Sequence, residues 1–270
     1  MDYYAVVGNP IGHSKSPMIH GMFAKQTSQN LEYGKIEAPI DAFTNTVNKF
    51  FEQDRQKGLN ITVPFKEQAW ALCQARTDRA ELAGAVNTLY LDENNNLCGD
   101  NTDGVGLVRD LKNNGVMLKG KKILIVGAGG AVRGVLQPIL KELPSSVVVC
   151  NRTLSKAEEL VLIFKHLGNI RSSAFQDLSE AFDIVINGTS ASLSGDLPPL
   201  SAKVISPRTV VYDMMYSKEA TVFNVWAAEN GSDKTIDGLG MLVEQAAEAF
   251  KIWRGLTPKT ADVMAALRLL

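Results

Sequence analysis

Lys66 occupies the position in this sequence that is best suited to acid–base chemistry. Residues 58–67 predict a strand that turns abruptly into a helix, and Pro64 marks the helix start because proline is tolerated in a first helical turn. Lys66 then lies in that first turn, where the positive end of the helix dipole disfavours a cation. The local pattern leaves two interpretations open: a solvated surface lysine, or an amine that gives and takes a proton during a reaction.

A glycine-rich turn predicts a phosphate site; it consists of Gly127, Ala128, Gly129, Gly130 and Ala131. An apolar, β-branched run precedes it, and a helical pattern and a second apolar run at residues 147–150 follow it, as in the first βαβ unit of a dinucleotide-binding domain. Such a turn brings a pyrophosphate close to the free backbone N–H groups of the helix start. Val132 stands where the strict pattern has Gly or Ala, and an ordinary strand-to-helix turn is the alternative.

The residues after the second strand of this unit indicate which dinucleotide is bound. NAD is usually held there by an Asp or Glu that contacts the ribose 2′-hydroxyl. This chain instead has Asn151, Arg152, Thr153 and Lys156, with no carboxylate among them. A guanidinium and an ammonium suit a 2′-phosphate, so the sequence favours NADP over NAD. The alternative is a solvated helix start, although cations in a first helical turn oppose the dipole.

Polar side chains also follow several predicted strands, at the ends where ligands bind in open α/β sheets. They are Asn60, Thr62, Asn87, Thr102, Asp103, Thr189 and Ser190. Residues 210–216 predict a further strand that includes Met214 and ends at Tyr216, and this tip is expected to line the nicotinamide side with residues 189 and 190. Asp103 has an ordinary alternative as a helix cap.

Two helices carry further candidates. Ser14 and Ser16 lie beside a helix that begins near Pro17, so they either cap that helix or donate hydrogen bonds to a carboxylate ligand. Gln245 lies in a long amphipathic helix near the end of the chain, where a surface-facing position is the alternative. Periodicity also predicts a strand at residues 85–91 and a helix at residues 154–167, and Pro138 is expected to kink the helix after the glycine turn.

Composition excludes several classes of protein. With 270 residues, 45% of them hydrophobic, the chain can bury a sizeable core in one or two domains. A net charge of −1 argues against nucleic acid or a membrane surface as the main partner. The three cysteines and the scattered histidines suggest neither a disulfide framework nor a metal site. No leader or membrane-length apolar run is evident, so a cytoplasmic protein is expected.

Taken together, seven motifs in this order resemble the shikimate dehydrogenase family over nearly the whole chain. They lie at residues 14–16, 60–66, 84–88, 101–104, 127–131, 151–153 and 237–241. The family itself uses the Gly-Gly-Ala form of the glycine turn. The resemblance implies an α/β fold: a substrate-binding domain at residues 1–102, joined by C-terminal helices at residues 239–270, and a Rossmann-like, doubly wound NADP-binding domain at residues 103–238.

The resemblance also implies roles for individual residues. Lys66 and Asp103 would form the catalytic pair, and Ser14, Ser16 and Tyr216 would hold a substrate carboxylate. Ring hydroxyls of the substrate would contact Asn60, Thr62, Asn87 and Gln245. Beyond the glycine turn and the basic residues, the NADP contacts would include Thr189, Ser190, Met214, Gly238 and Met241.

The implied reaction is the reversible NADPH-dependent reduction of 3-dehydroshikimate to shikimate, in a monomer or a homodimer. One alternative is a relative that also oxidises quinate or prefers NAD, in which an acidic residue commonly replaces the patch around Arg152. The other is a non-catalytic protein that binds a metabolite of the shikimate pathway, and such a protein should have lost Lys66 or Asp103. This chain keeps all three residues.

Overall fold

The computed structural model describes residues 1–270, except for the side chains of residues 193 and 194. The chain divides into two compact units. The first unit comprises Met1–Gly106 and Val243–Leu269, and the second comprises Leu107–Leu242 and Leu270.

The first unit is built around a mixed sheet. Its elements are β1 (Asp2–Gly8), α1 (Ser16–Gln26), β2 (Leu31–Glu37), α2 (Phe43–Phe51), β3 (Gln56–Ile61), α3 (Lys66–Leu72), β4 (Ala75–Arg76), α4 (Asp78–Ala83), β5 (Thr88–Leu91) and β6 (Leu97–Asp100). The sheet has six strands in the order β2-β1-β3-β5-β6-β4. The β1–β2, β1–β3 and β4–β6 pairs are parallel, whereas β3–β5 and β5–β6 are antiparallel.

The core of the first unit explains where α3 begins. Phe65 is fully buried and stacks on Phe43 of α2, with ring centroids 4.7 Å apart. Leu59 and Ile61 of β3 belong to the same apolar cluster. Burial of Phe65 anchors the residue directly before Lys66, so the start of α3 is held against the sheet by the hydrophobic effect.

The second unit contains a parallel sheet. After α5 (Asp103–Asn113) come β7 (Lys122–Val126), α6 (Gly130–Lys141), β8 (Ser146–Cys150), α7 (Leu154–Phe164), β9 (Ile170–Ser173), β10 (Ile184–Asn187), β11 (Val210–Asp213), α8 (Val222–Glu229) and β12 (Lys234–Ile236). Short 3₁₀ helices span Phe175–Asp177, Ala191–Ser194 and Ala202–Val204. The chain ends with α9 (Leu239–Arg254) and α10 (Ala261–Arg268).

The order of these strands confirms the predicted doubly wound α/β class. Six strands lie in the order β12-β11-β10-β7-β8-β9, and every pair is parallel. The order reverses between β7 and β10, which is the topological switch point where dinucleotides bind in such sheets. Strands buried on both faces read as continuous apolar runs, which is why β7 and β8 were evident in the sequence.

Several predicted boundaries were wrong. The strand predicted at residues 85–91 starts only at Thr88, because Val86 N–H donates to Lys66 O of α3 at 2.9 Å instead of to a neighbouring strand. The strand predicted at residues 210–216 ends at Asp213, whose carboxylate accepts the Met215 N–H at 3.1 Å. The helix predicted at residues 154–167 ends at Phe164. The short strands β4, β9 and β12 and the helix α8 were not predicted.

Two further features bear on the composition argument. Cys73, Cys98 and Cys150 are buried free thiols. Burial raises the pKa of both Cys73 and Cys150 to about 12. Within the described residues, none of the helices combines the length and the apolar content that crossing a membrane requires.

Candidate active site

Lys66 and Asp103 form a close ion pair in the first unit. Lys66 is the first residue of α3 and Asp103 is the first residue of α5. Lys66 Nζ lies 2.7 Å from Asp103 Oδ2, and the two side chains are 32% and 14% exposed. The ammonium is thus paired yet still reachable from solvent, which a group that exchanges protons with a bound substrate needs.

Asn87 holds the other oxygen of the Asp103 carboxylate. Its Nδ2 donates to Asp103 Oδ1 at 2.8 Å and to Thr102 Oγ1 at 2.9 Å. Its Oδ1 accepts the backbone N–H of Thr102 at 2.9 Å, which fixes the amide in one orientation. Both carboxylate oxygens of Asp103 therefore have partners, and the side chain that faces Lys66 is pre-organised.

Gln245 of α9 joins this group. Its Oε1 accepts from Asn87 Nδ2 and from Thr102 Oγ1, each at 3.3 Å. The sequence alone did not exclude a surface position for Gln245, and the structure instead brings it together with Asn87 and Thr102. Its predicted contact with substrate stays a prediction.

Three further hydrogen bonds fix the starts of α3 and α5. Val86 N–H donates to the carbonyl of Lys66, so the loop before β5 is tied to the first turn of α3. Asn101 Nδ2 donates to Ala85 O at 3.0 Å, and its Oδ1 accepts the Asp103 N–H at 3.2 Å. Asn101 belongs to a motif of the resemblance, but its role in capping α5 was not predicted.

Asn60 extends the polar group along the sheet. Its Nδ2 donates to Asn87 O at 3.1 Å, and its Oδ1 accepts the hydroxyl of Tyr33 at 2.7 Å. Thr62 is half-buried just beyond the end of β3. Tyr33 was missed by the sequence analysis because only the pairing order β2-β1-β3 brings it near Asn60.

Ser14 and Ser16 lie at the start of α1, as expected. Ser14 Oγ accepts the Ser16 N–H at 3.3 Å, so the Ser14 side chain takes up one of the free N–H groups of this helix start. Ser16 is 7% exposed. Their predicted contact with a carboxylate stays a prediction.

The glycine turn of the second unit fits a dinucleotide phosphate. Gly127 has a φ of +108°, which strongly favours glycine, and a Cβ there would lie 3.1 Å from Thr189 Cγ2. At Gly129 and Gly130 an added Cβ would meet no described atom within 4 Å, so the protein's own packing does not require glycine there. Open space beside the backbone at the start of α6 is what close approach of a pyrophosphate requires.

The structure also accounts for Val132. In dinucleotide-binding turns the residue at this position is small so that the helix packs closely on the sheet. Here Val132 is fully buried and faces Gly188, where a Cβ would lie 2.3 Å from Val132 Cγ2. The small residue in this contact is Gly188, directly after β10, instead of the residue at position 132. The helix and the sheet can therefore still pack closely.

The residues predicted to select NADP lie together at the end of β8. Arg152, Thr153 and Lys156 are exposed, and Asn151 Nδ2 donates to Thr153 O at 2.9 Å. The first turn of α7 contains no acidic residue. Arg152 and Lys156 thus place two positive charges beside a helix turn that contains no carboxylate. Such a pair of cations suits the negative charge of a 2′-phosphate.

A buried network shapes the ends of β10 and β11, where Thr189, Ser190 and Met214 were predicted to line the nicotinamide side. Asn187 and Asp213 are fully buried, and Asn187 Nδ2 donates to Asp213 Oδ1 at 3.1 Å. Asn187 Oδ1 accepts both the N–H and the hydroxyl of Thr189, at 3.1 and 2.8 Å. Asn187 and Asp213 were not predicted as site residues, since their role depends on β10 and β11 being adjacent.

The remaining predicted positions are also located in the second unit. Gly238 and Met241 lie at the start of α9, and the side chain of Tyr216 is 40% exposed in the segment after β11. No cluster of three metal-binding side chains is found within the part of the chain that the structure describes.

Comparison with known proteins gives consistent matches along the chain. Residues 6–89 match a family profile described as the shikimate dehydrogenase substrate binding domain. Residues 110–194 match a profile described as shikimate / quinate 5-dehydrogenase, and residues 238–268 one described as the shikimate 5′-dehydrogenase C-terminal domain.

Individual relatives agree with these profiles. A shikimate dehydrogenase (NADP(+)) from Marinobacter nauticus is 60% identical over 271 residues, covering 99% of this chain and 98% of the relative. The crystal structure of an Ael1 enzyme from Pseudomonas putida has a TM-score of 0.95 at 46% identity, covering 99% of this chain and 98% of that one. A shikimate 5-dehydrogenase from Thermus thermophilus, solved in complex with NADP(H) and shikimate, has a TM-score of 0.87 at 32% identity, covering 100% and 99%. The chain therefore belongs to the shikimate dehydrogenase family.

Proposed function

We propose that this protein is an NADP-dependent shikimate dehydrogenase that interconverts 3-dehydroshikimate and shikimate. The observation that carries the proposal is the 2.7 Å contact between Lys66 and Asp103, held in place by Asn87. A protein that only binds a metabolite has no need for a solvent-reachable amine paired with a pre-oriented carboxylate. Relatives of 52–61% identity along the full chain are shikimate dehydrogenases (NADP(+)).

The proposed mechanism assigns proton transfer to Lys66. When bound, NADPH supplies a hydride for the C3 carbonyl carbon of 3-dehydroshikimate. The Lys66 ammonium donates its proton to the carbonyl oxygen, and the product is the C3 hydroxyl of shikimate. In the reverse direction neutral Lys66 accepts the hydroxyl proton. Asp103 accepts a hydrogen bond from Lys66. This bond keeps the amine in one orientation in both directions of the reaction.

Substrate recognition is assigned to the first unit. Hydroxyl and amide groups are the partners that a polyhydroxylated ring and its carboxylate require. We assign Ser14 and Ser16 to the carboxylate, and Asn60, Thr62, Asn87 and Gln245 to the ring hydroxyls. Tyr216 stays a predicted carboxylate ligand on the strength of the resemblance, and the other predicted residues of the second unit are assigned to NADP.

The cofactor assignment depends on complementary charge. We assign the pyrophosphate to the turn at residues 127–131 and the 2′-phosphate to Arg152 and Lys156, with Asn151 and Thr153 beside them. Thr189, Ser190, Met214, Gly238 and Met241 are assigned to the nicotinamide end. A monomer or homodimer in the cytoplasm is the proposed biological form.

Turnover with a defined set of substrates tests this function. We expect the purified protein to reduce NADP with shikimate, measured at the absorbance band of reduced nicotinamide, and to show little rate with NAD or with quinate. Comparable rates with quinate and NAD would instead indicate a quinate/shikimate dehydrogenase. Binding of shikimate without turnover under any of these conditions would indicate a non-catalytic metabolite-binding protein.

Arg152→Ala is expected to weaken the use of NADP selectively. Loss of a charge-assisted hydrogen bond to the 2′-phosphate should raise the KM for NADP about 10- to 100-fold. The KM for NAD, which lacks that phosphate, should stay within about twofold. Steady-state kinetics with each cofactor at saturating shikimate measure both values.

Arg208→Ala is the matched control for this experiment. Arg208 is also exposed, but it precedes β11 and lies at the opposite end of the parallel strands from Arg152. Its removal should leave both KM values unchanged. Equal weakening of NAD and NADP by Arg152→Ala would contradict the assignment of Arg152 to the 2′-phosphate.

A further inference from the structure

The hydroxyl of Tyr33 contacts a side chain that the proposed function assigns to the substrate. It donates to Asn60 Oδ1 at 2.7 Å. Asn60 is assigned to the ring hydroxyls. A phenol oxygen is therefore bonded directly to one of the proposed substrate ligands.

The pairing of the strands explains why a long side chain is needed at this position. Tyr33 lies on β2, Asn60 lies on β3, and β1 runs between them. Adjacent strands are about 4.8 Å apart, so a side chain must reach across a whole strand to contact Asn60. The phenol of Tyr33 does so, which a serine or threonine at the same position could not do.

The ring of Tyr33 is held by stacking. It lies on the imidazole of His20, with ring centroids 4.2 Å apart and planes inclined by 3°. His20 is 1% exposed, and its burial lowers its pKa to about 3, so the stacked imidazole is neutral. Burial likewise raises the pKa of Tyr33 well above its ordinary value, and the phenol remains a proton donor.

Donation from Tyr33 determines which way the Asn60 amide points. With Oδ1 occupied by the phenol, Nδ2 is left to donate to Asn87 O at 3.1 Å and to Thr88 Oγ1 at 3.3 Å. The Thr88 hydroxyl in turn donates to Asn87 Oδ1 at 2.9 Å. Asn87 is the residue that holds Asp103, so the hydrogen bonds run without a break from Tyr33 to the Lys66–Asp103 pair.

We propose that Tyr33 is a positioning residue for the substrate, whose hydroxyl holds the Asn60 amide in one fixed orientation. Tyr33 itself need not touch the substrate. Its loss should therefore affect shikimate binding through Asn60 and leave the cofactor unaffected. This inference rests on the proposed function, because it takes the substrate role of Asn60 from it.

Tyr33→Phe tests the proposal, since phenylalanine keeps the stacked ring and removes only the hydroxyl. We expect the KM for shikimate to rise about 10- to 100-fold, because Asn60 Oδ1 loses its donor and is left buried without a partner. The kcat should fall by less than about fivefold, and the KM for NADP should stay within about twofold. Steady-state kinetics and thermal unfolding of the same preparations provide the readouts.

A double-mutant cycle separates positioning from simple packing. If Tyr33 acts through Asn60, the combined Tyr33→Phe and Asn60→Ala variant should raise the shikimate KM by clearly less than the product of the two single effects. Tyr90→Phe on β5 is the control, because it removes a hydroxyl from the same sheet at a position outside the network. It should leave all kinetic constants and the unfolding temperature unchanged.

Three results would overturn the inference. One is a shikimate KM within about twofold of wild type in Tyr33→Phe. Another is a rise in the shikimate KM of the double variant that equals the product of the two single effects. The third is failure of Tyr33→Phe to fold while Tyr90→Phe folds, which would give the hydroxyl a structural role. Wild-type turnover of shikimate, measured in the same series, shows separately whether the proposed function itself fails.

Discussion

Replacing Lys66 with alanine is expected to lower the kcat for shikimate oxidation by about 10²- to 10⁴-fold, the usual contribution of a general acid–base group. The shikimate KM should change far less, because the proposed ligands of the ring hydroxyls remain, namely Asn60, Thr62, Asn87 and Gln245. Asp103 keeps its hydrogen bond from Asn87 at 2.8 Å, so the carboxylate does not lose every partner. Initial rates at the absorbance band of reduced nicotinamide, over a range of shikimate concentrations at saturating NADP, separate kcat from KM.

Lys112→Ala is the matched control for Lys66→Ala. Lys112 is also an ion-paired lysine, with Nζ 2.8 Å from Glu142 Oε1 and a side chain 39% exposed. Removing it deletes a similar contact away from the candidate active site, so kcat should stay within about twofold of wild type. If Lys66→Ala retained more than a tenth of the wild-type kcat, Lys66 would not be the proton donor and the proposed mechanism would fail.

Replacing Gly238 with alanine is expected to lower the free energy of unfolding by about 3 kcal/mol, at the upper end of the usual effect of overpacking. An added Cβ would lie 2.1 Å from the carbonyl oxygen of Met214. That carbonyl cannot move away cheaply, because Met214 N–H donates to Asn187 O at 2.9 Å and Gly238 N–H donates to Met215 O at 3.0 Å. Urea unfolding followed by circular dichroism measures the change in midpoint.

Gly21→Ala is the matched glycine control, and the opposite sign is expected. Gly21 lies inside α1, is exposed, and an added Cβ there would meet no described atom within 4 Å. Alanine in the middle of a helix should raise the free energy of unfolding by about 0.5 to 1 kcal/mol. A Gly238→Ala protein as stable as the wild type would show that the backbone at Met214 yields, and that glycine is dispensable at this position of the motif.

Local patterns were sufficient to predict β7, α6 and β8 of the second unit. A parallel strand buried on both faces is a continuous apolar run, and a glycine turn between such a run and a helix is recognisable within a few residues. The short strands β4, β9 and β12 lacked that signal. They comprise two, four and three residues, and only pairing with a longer neighbour makes them strands.

The sequence by itself determined the features that depend on neighbouring residues. These are the place of Lys66 in the first turn of α3, the glycine turn before α6, and a basic patch without a carboxylate at Arg152. Each follows from backbone geometry or charge over a few positions, which is why the resemblance to the family could be read from short motifs.

Only the tertiary structure decided which side chains meet. Lys66 and Asp103 are 37 residues apart in the chain, and Tyr33 and Asn60 are 27 apart. Val132 is accommodated by Gly188, from a different strand. Such contacts depend on strand order and register, which follow from burial of the whole apolar surface and not from any local pattern.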